Sequence, residues 1–225
     1  MFCQLLACDE SELAEHYPNE HEKRADGLVH LIGLVFAAVA GVALASFSWA
    51  RGGLGQATAT SLYALCLVAM LACSAVYNLT RPSPHRRLLR RLDEAAIFFM
   101  IAGSCTPFTT QKFDGTAAVV ATSAIWMAAL AGAAGKLFVT RLSDRFWCKI
   151  YVGFAWIAGL ALLPVSLALP LPALILLGFG GLTYTAGVLI FLKEDAPFRR
   201  AVWHGFVVVA AGMHYGAILT GVVWA

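Results

Sequence analysis

Charge-free apolar stretches follow one another along almost the whole chain, each near the length of one membrane crossing. They run about 29–50, 57–80, 95–110, 116–135, 150–169, 171–192 and 201–225. A hydrocarbon core needs roughly 20 residues of helix at about 1.5 Å rise per residue. Lipid satisfies no backbone hydrogen bonds, so helix is the expected form of every stretch. The chain is 60% hydrophobic and 13% charged, against roughly 45–50% and 25% in soluble domains. That balance excludes a soluble enzyme, a disordered chain and a secreted disulfide scaffold. The third stretch is the shortest, and Leu92, Asp93 and Glu94 extend it at one end. Leu169-Pro170-Leu171-Pro172 separates the fifth from the sixth, because proline disfavours helix in the residue before it. The expected fold is all-α: a seven-transmembrane helix bundle over residues 29–225, preceded by a polar segment over 1–28. That segment holds seven of the 13 acidic residues: Asp9, Glu10, Glu12, Glu15, Glu20, Glu22 and Asp26.

Lysine and arginine in short loops set orientation. Lys23 and Arg24 precede span one; Arg81, Arg86, Arg87, Arg90 and Arg91 follow span two. Lys136, Arg141, Arg145 and Lys149 follow span four, and Lys193, Arg199 and Arg200 precede span seven. Only Arg51 and Lys112, of 16 basic residues, fall on the other side. The N-terminus is therefore expected in the cytoplasm and the C-terminus outside it. The Arg-rich stretch 81–91 reads as a topology determinant resting on anionic headgroups, not as a nucleic-acid patch. The first 28 residues are acidic and lack the apolar core of a cleavable signal. The six cysteines (Cys3, Cys8, Cys66, Cys73, Cys105 and Cys148) make no metal-ligand spacing and suggest no extracellular disulfide framework.

With this topology, polar residues far apart in sequence converge on one layer. His30 starts span one. Ser74 and Asn78 lie one turn apart at the end of span two. Asp93 and Glu94 open span three, and Arg200 and His204 open span seven. His214 lies ten residues beyond His204, about 15 Å deeper and about 80° around the helix, so the two cannot share one small ligand. A carboxylate, histidines and a hydroxyl in one layer suit either a metal that activates water or a hydrogen-bonded clamp between helices.

Four segments at these positions carry a family resemblance. Glu22–Gly33, E-K-R-A-D-G-L-V-H-L-I-G, resembles E-E-x-x-N-x-x-T-H-x-x-G. Ser74–Asn78, S-A-V-Y-N, resembles S-x-x-Y-H. Leu92–Phe108, L-D-E-A-A-I-F-F-M-I-A-G-S-C-T-P-F, is similar to L-D-H-x-x-I-F-x-x-I-A-G-x-Y-T-P-F and is the most specific. Tyr184-Thr185-x-Gly187, Trp203-His204 and His214 are similar to Y-x-x-G, H-x-x-W-H and a later histidine. The sequence resembles the hemolysin III family, within the wider superfamily of progestin and adiponectin Q receptors and alkaline ceramidases. The resemblance implies a zinc site near the cytoplasmic face, built from the histidine of S-x-x-x-H, both histidines of H-x-x-x-H and the aspartate of the third helix beside a bound water. Ser74, Asp93 and His204 match that pattern. Asn78 and Arg200 occupy the positions of the other two imidazoles, Glu94 replaces a histidine, Lys23 a glutamate and Asp26 an asparagine. An amide is a poor zinc ligand, and a guanidinium cannot deprotonate to become one. Arg200 is expected to pair with Asp93 or Glu94 and replace the metal as the tie between spans three and seven. A rearranged zinc site of His204, Asp93 and Glu94, with His30 as a further ligand, is the alternative.

The function expected is that of an integral membrane protein of hemolysin III type with a degenerate metal site. Its role would lie in membrane or lipid homeostasis or in cytolysis, at the cell membrane, which for this family implies a bacterial inner membrane. Membrane lipid is the expected partner and nucleic acid is not. The alternative is a zinc-dependent hydrolase of lipid amides or esters, with Asp93 as general base and Ser74 orienting substrate or stabilising the oxyanion. Span seven has no lysine for a retinal Schiff base, no file of polar residues marks a pore, and no serine-protease arrangement is apparent in the sequence. Reporter fusions test the orientation: those at 51–56 and 111–115 should read as external and those at 81–91 as internal. An internal reading at 51–56 would contradict the topology.

Overall fold

A computed structural model describes residues 16–139, 141–193 and 195–225. Residues 1–15 of the expected polar segment, with Cys3 and Cys8, lie outside the described residues. Among the described residues, every regular element is helical. They are α1 Glu20–Leu79, α2 Arg86–Gln111, α3 Gly115–Phe138, α4 Asp144–Leu160, the short α5 Leu163–Ser166, α6 Leu171–Phe191 and α7 Arg199–Ile218. A π-helical turn, Leu219–Val223, follows α7.

Helix α1 starts well before the apolar run. The Asn19 side chain accepts a hydrogen bond from the Glu22 backbone N–H at 2.9 Å, and Glu20 and Glu22 place negative charge on the first turn, where the helix dipole favours it. The polar residues 20–28 are therefore helical and continuous with the first apolar stretch. The helix then breaks at Gly53, whose φ of 67° and ψ of −158° are non-helical. A side chain rarely adopts that conformation. The two halves fold back on each other: His30 meets Ser74, and a Cβ on Gly33 or Gly41 would meet Leu71 or Ala64. These pairings have the descending register of an antiparallel hairpin, so the first two expected spans are its arms. At Gly41 the missing side chain lets the arms approach closely, as small residues do between membrane helices.

Helix α1 packs against α2 and α7, α2 against α3 and α4, and α6 against α7. One core gathers Tyr63, Leu67, Met100, Phe108 and Ile218 between α1, α2 and the end of α7. A second places Phe98 and Ala129 against Trp147, tying α2 and α3 to α4. Polar contacts stitch α2 to α3: the Trp126 indole donates to Thr106 at 3.0 Å and Thr122 to Thr109 at 2.7 Å. Large apolar side chains such as Val42, Leu65, Met127, Ile157 and Leu189 face outward, the pattern of a protein whose solvent is lipid. Among the described residues, four helices (α1, α3, α6 and α7 with its π turn) are long and apolar enough to cross a membrane.

Two expectations change. The stretch 150–169 is not one helix. Helix α4 begins earlier, where Ser143 caps it, and ends at Leu160; Pro164 sits in the first turn of the separate α5, where a missing N–H is tolerated. The Arg-rich stretch is not all surface loop either. From Arg86 onward it is helical, with Arg86 and Arg91 buried, and Arg91 donates to the Leu137 carbonyl at 2.5 Å. The Pro170–Pro172 reversal stands where expected, with α6 beginning at Leu171.

Candidate functional site

Asp26 and His30 are one turn apart on α1, and both are buried. That spacing brings the His30 Nδ1 to the Asp26 backbone carbonyl at 2.9 Å. A carbonyl only accepts, so Nδ1 carries the proton and Nε2 keeps its lone pair. His30 Nε2 lies 3.3 Å from Ser74 Oγ on the returning arm of the hairpin. His204, from the second turn of α7, completes the group. Its Nδ1 donates to Asp26 Oδ1 at 2.6 Å, and its Nε2 also lies 3.3 Å from Ser74 Oγ. The two imidazoles stand edge to face at 4.4 Å between ring centres. One serine hydroxyl thus faces two imidazole lone pairs, and one carboxylate anchors the second ring. The Tyr17 hydroxyl donates to the other oxygen of Asp26 at 2.5 Å, leaving the buried carboxylate bonded on both sides.

Asn78 and Arg200 stand beside this group and bond each other. The Arg200 guanidinium donates to Asn78 Oδ1 at 2.7 Å. The Asn78 amide nitrogen donates to the Ser74 carbonyl at 3.0 Å and lies 3.4 Å from Ser74 Oγ. The expected Arg200 pairing with Asp93 or Glu94 is therefore replaced by a tie between the hairpin and α7. Glu94 is engaged elsewhere. It pairs with Lys136 of α3 and accepts from Arg90 at 3.2 Å, while Arg90 reaches Asp144 of α4 at 2.6 Å. The carboxylate offered as a zinc ligand is thus a bracket between α2, α3 and α4.

A cavity of about 460 Å³ joins these residues. Ser74, Asn78, Asp93, Arg200 and His204 line its polar wall, and Met70, Leu71, Ile97, Val207 and Val208 line its apolar depth. His16 also borders it, 3.4 Å from the Tyr77 hydroxyl. Burial first, and then the charges of Arg200, Arg86 and Arg90, push His16 down to about 3, so it is neutral at physiological pH. His214 lies apart. Neither ring nitrogen has a hydrogen-bond partner among the described residues, and the ring stands edge-on to Tyr184 at 5.6 Å. The expectation that it does not share a ligand with His204 fits this placement.

The zinc implied by the family resemblance does not fit its expected positions. An asparagine and an arginine, hydrogen-bonded to each other, occupy two of them. Asp26, His30 and His204 form a different group, with ligand atoms within 4.8 Å of one another, that could hold a metal ion. The residue types suit zinc. The spacing suits hydrogen bonding: two tetrahedral ligands with bonds of about 2.0–2.1 Å sit roughly 3.3 Å apart, so the Asp26–His204 pair at 2.6 Å would have to open. The sequence pattern brings Ser74, Asn78, His30 and His204 together as expected. It misses Asp26 and Tyr17. The i, i+4 spacing of Asp26 and His30 was the available signal.

The Arg200–Asn78 bond has a direct test. In a double-mutant cycle, Asn78→Ala and Arg200→Ala should be non-additive by about 0.5–3 kcal/mol, the range for contacting polar residues. Arg200→Ala with Glu94→Gln should be additive to within about 0.5 kcal/mol. Denaturant unfolding in detergent measures both. Coupling to Glu94 in place of Asn78 would contradict the geometry.

Comparison with known proteins agrees with the arrangement of these segments. Residues 19–215 match the family described as Haemolysin-III related. The chain is 24% identical to the Hemolysin-3 homolog of Bacillus subtilis (strain 168), over 88% of this chain and 93% of that one. It is 27% identical to Hemolysin-3 of Bacillus cereus, over 88% and 90%. It is also 29% identical to the Monocyte to macrophage differentiation factor of Homo sapiens, over 70% and 67%. The matched region contains the α1 hairpin, the α2 motif and the Arg200–His204 turn, and the chain belongs to the hemolysin III family.

Proposed function

We propose that this family member is a seven-pass protein of the cell membrane, N-terminus in the cytoplasm, that acts on membrane lipid through a pocket working without the family's zinc. The observation that carries the reading is the Arg200–Asn78 hydrogen bond. A fixed positive charge and a neutral amide stand where two imidazoles would hold a dication. Arg200 repels a metal from His204, one turn away, and ties α7 to the hairpin in its place. The basic split between loops supports the orientation, and the cavity's apolar depth and polar wall suit an amphipathic lipid. The alternative is a zinc-dependent lipid hydrolase. The Asp26, His30 and His204 group favours it, because all three are zinc-ligand types.

Metal content decides between them. Protein purified after metal-replete growth should carry far less than one zinc per chain by mass spectrometry. Asn78→His with Arg200→His should bind near-stoichiometric zinc, with a Tm that rises when zinc is added. Near-stoichiometric zinc in the wild type, or a large fall in its Tm with chelator, would establish the zinc-dependent reading instead.

A further inference from the structure

The hydrogen bonds around Ser74 form a relay that the sequence order hides. Asp26 Oδ1 accepts from His204 Nδ1 at 2.6 Å, and His204 Nε2 faces Ser74 Oγ at 3.3 Å. A carboxylate, an imidazole held in one tautomer and a serine hydroxyl in this order are the components of an activated nucleophile. The three residues come from the start of α1, the start of α7 and the end of the hairpin's second arm. Ser74 borders the cavity, as does His204, whereas Asp26 is fully enclosed behind the ring it holds. A 3.3 Å separation in the absence of substrate is within the looser range such pairs show before substrate binds.

From this geometry we propose that Ser74 is the nucleophile of a metal-free acyl-ester hydrolase, with His204 as general base and Asp26 as the positioning residue. The inference rests on the zinc-free reading of the same site. Ser74 Oγ forms a bond to the carbonyl carbon of the ester while its proton passes to His204 Nε2. The C–O bond to the alcohol then breaks, and the alcohol takes that proton. Water attacks the acyl-serine, gives a proton to His204 Nε2, and the acid leaves as Ser74 Oγ recovers the proton. Each cycle consumes one ester and one water and needs no other reactant.

The substitutions that spoil the zinc site assist this chemistry. The Asn78 amide nitrogen is 3.4 Å from Ser74 Oγ, and the Arg200 guanidinium holds the same amide by its oxygen. The Asn78 amide thus holds an N–H donor beside Ser74 Oγ, on the side where negative charge develops on the carbonyl oxygen and a donor stabilises it, and Arg200 positions that amide. The cavity names the substrate class. Met70, Leu71, Val207 and Val208 accept an acyl chain, and five cationic side chains (Arg90, Lys136, Arg145, Arg199 and Arg200) border the cavity against three carboxylates, Asp93, Glu94 and Asp144. The substrate is an acyl ester of an anionic lipid.

A long-chain alkyl fluorophosphonate tests the nucleophile, because its P–F bond breaks as a bond to serine oxygen forms. Full-length protein in detergent, stripped with chelator, should gain one adduct, on the peptide containing Ser74. Ser74→Ala should gain none while keeping its elution volume and Tm. His204→Gln and Asp26→Asn should label at least tenfold more slowly, and Asp26→Glu should recover part of the Asp26→Asn loss. Protein reconstituted in phosphatidylglycerol vesicles should release fatty acid, several-fold faster than in phosphatidylcholine. No adduct on folded, metal-free wild type, an adduct on another residue, or undiminished labelling of Asp26→Asn would overturn the relay. Equal release from both lipids would overturn the anionic-lipid assignment. Labelling of Ser74 that requires bound zinc would instead overturn the zinc-free reading on which the relay rests.

Discussion

The Asp26 carboxylate is the point on which this end of the bundle depends. It is completely buried and joined to three groups: the His204 ring, the Tyr17 hydroxyl and, at 3.6 Å, the His30 ring. A buried carboxylate without partners is strongly unfavourable, and hydrogen bonds to charged groups contribute about 1.5–3 kcal/mol each. The second turns of α1 and α7 are therefore held together by one side chain. Because α1 doubles back at Gly53, the same contact brings Ser74 to the junction. The backbone break at Gly53 and the ionic node at Asp26 are coupled: the first sets the register of the hairpin arms, and the second fixes α7 against that register.

Asn78 and Arg200 act beside the node as a pair. Without Asn78, Arg200 would be a half-buried charge beside His204 lacking this partner. Together they satisfy each other, the guanidinium donating to the amide oxygen while the amide nitrogen turns to Ser74. Glu94, displaced from any role at the centre, forms a second polar bracket with Lys136 and Arg90 on the far side of the cavity. The cavity thus lies between two polar clamps of different kinds, one built on α1 and α7 and one on α2, α3 and α4.

Much of this architecture was legible in the sequence because lipid constrains a chain so strongly. The apolar stretches, the Pro170–Pro172 reversal and the convergence of His30, Ser74, Asn78 and His204 all follow from helix length and loop charge. The fifth stretch misled because its composition hides a break: Pro164 ends regular helix without any polar residue to mark it. Asp26 misled for the opposite reason. It falls in an acidic run at the polar start of the chain, and the Asn19 cap, with the i, i+4 spacing to His30, places it on a helix that begins early enough to bury it. The partner of Arg200 depended on side-chain reach across three helices, which spacing along one helix does not supply. The serine relay, absent from any local motif, needed all three helix ends in place.

The protonation of His204 distinguishes a hydrogen-bonded node from a metal site. Nitrogen-15 NMR of histidine-labelled protein reports which ring nitrogen carries hydrogen and whether either binds metal. His30 and His204 should both be protonated at Nδ1, with Nε2 free of metal, and chelator should leave both spectra unchanged. Asp26→Asn should shift the His204 Nδ1 signal and Glu94→Gln should not. A His204 resonance of metal-bound nitrogen that chelator abolishes would contradict the account.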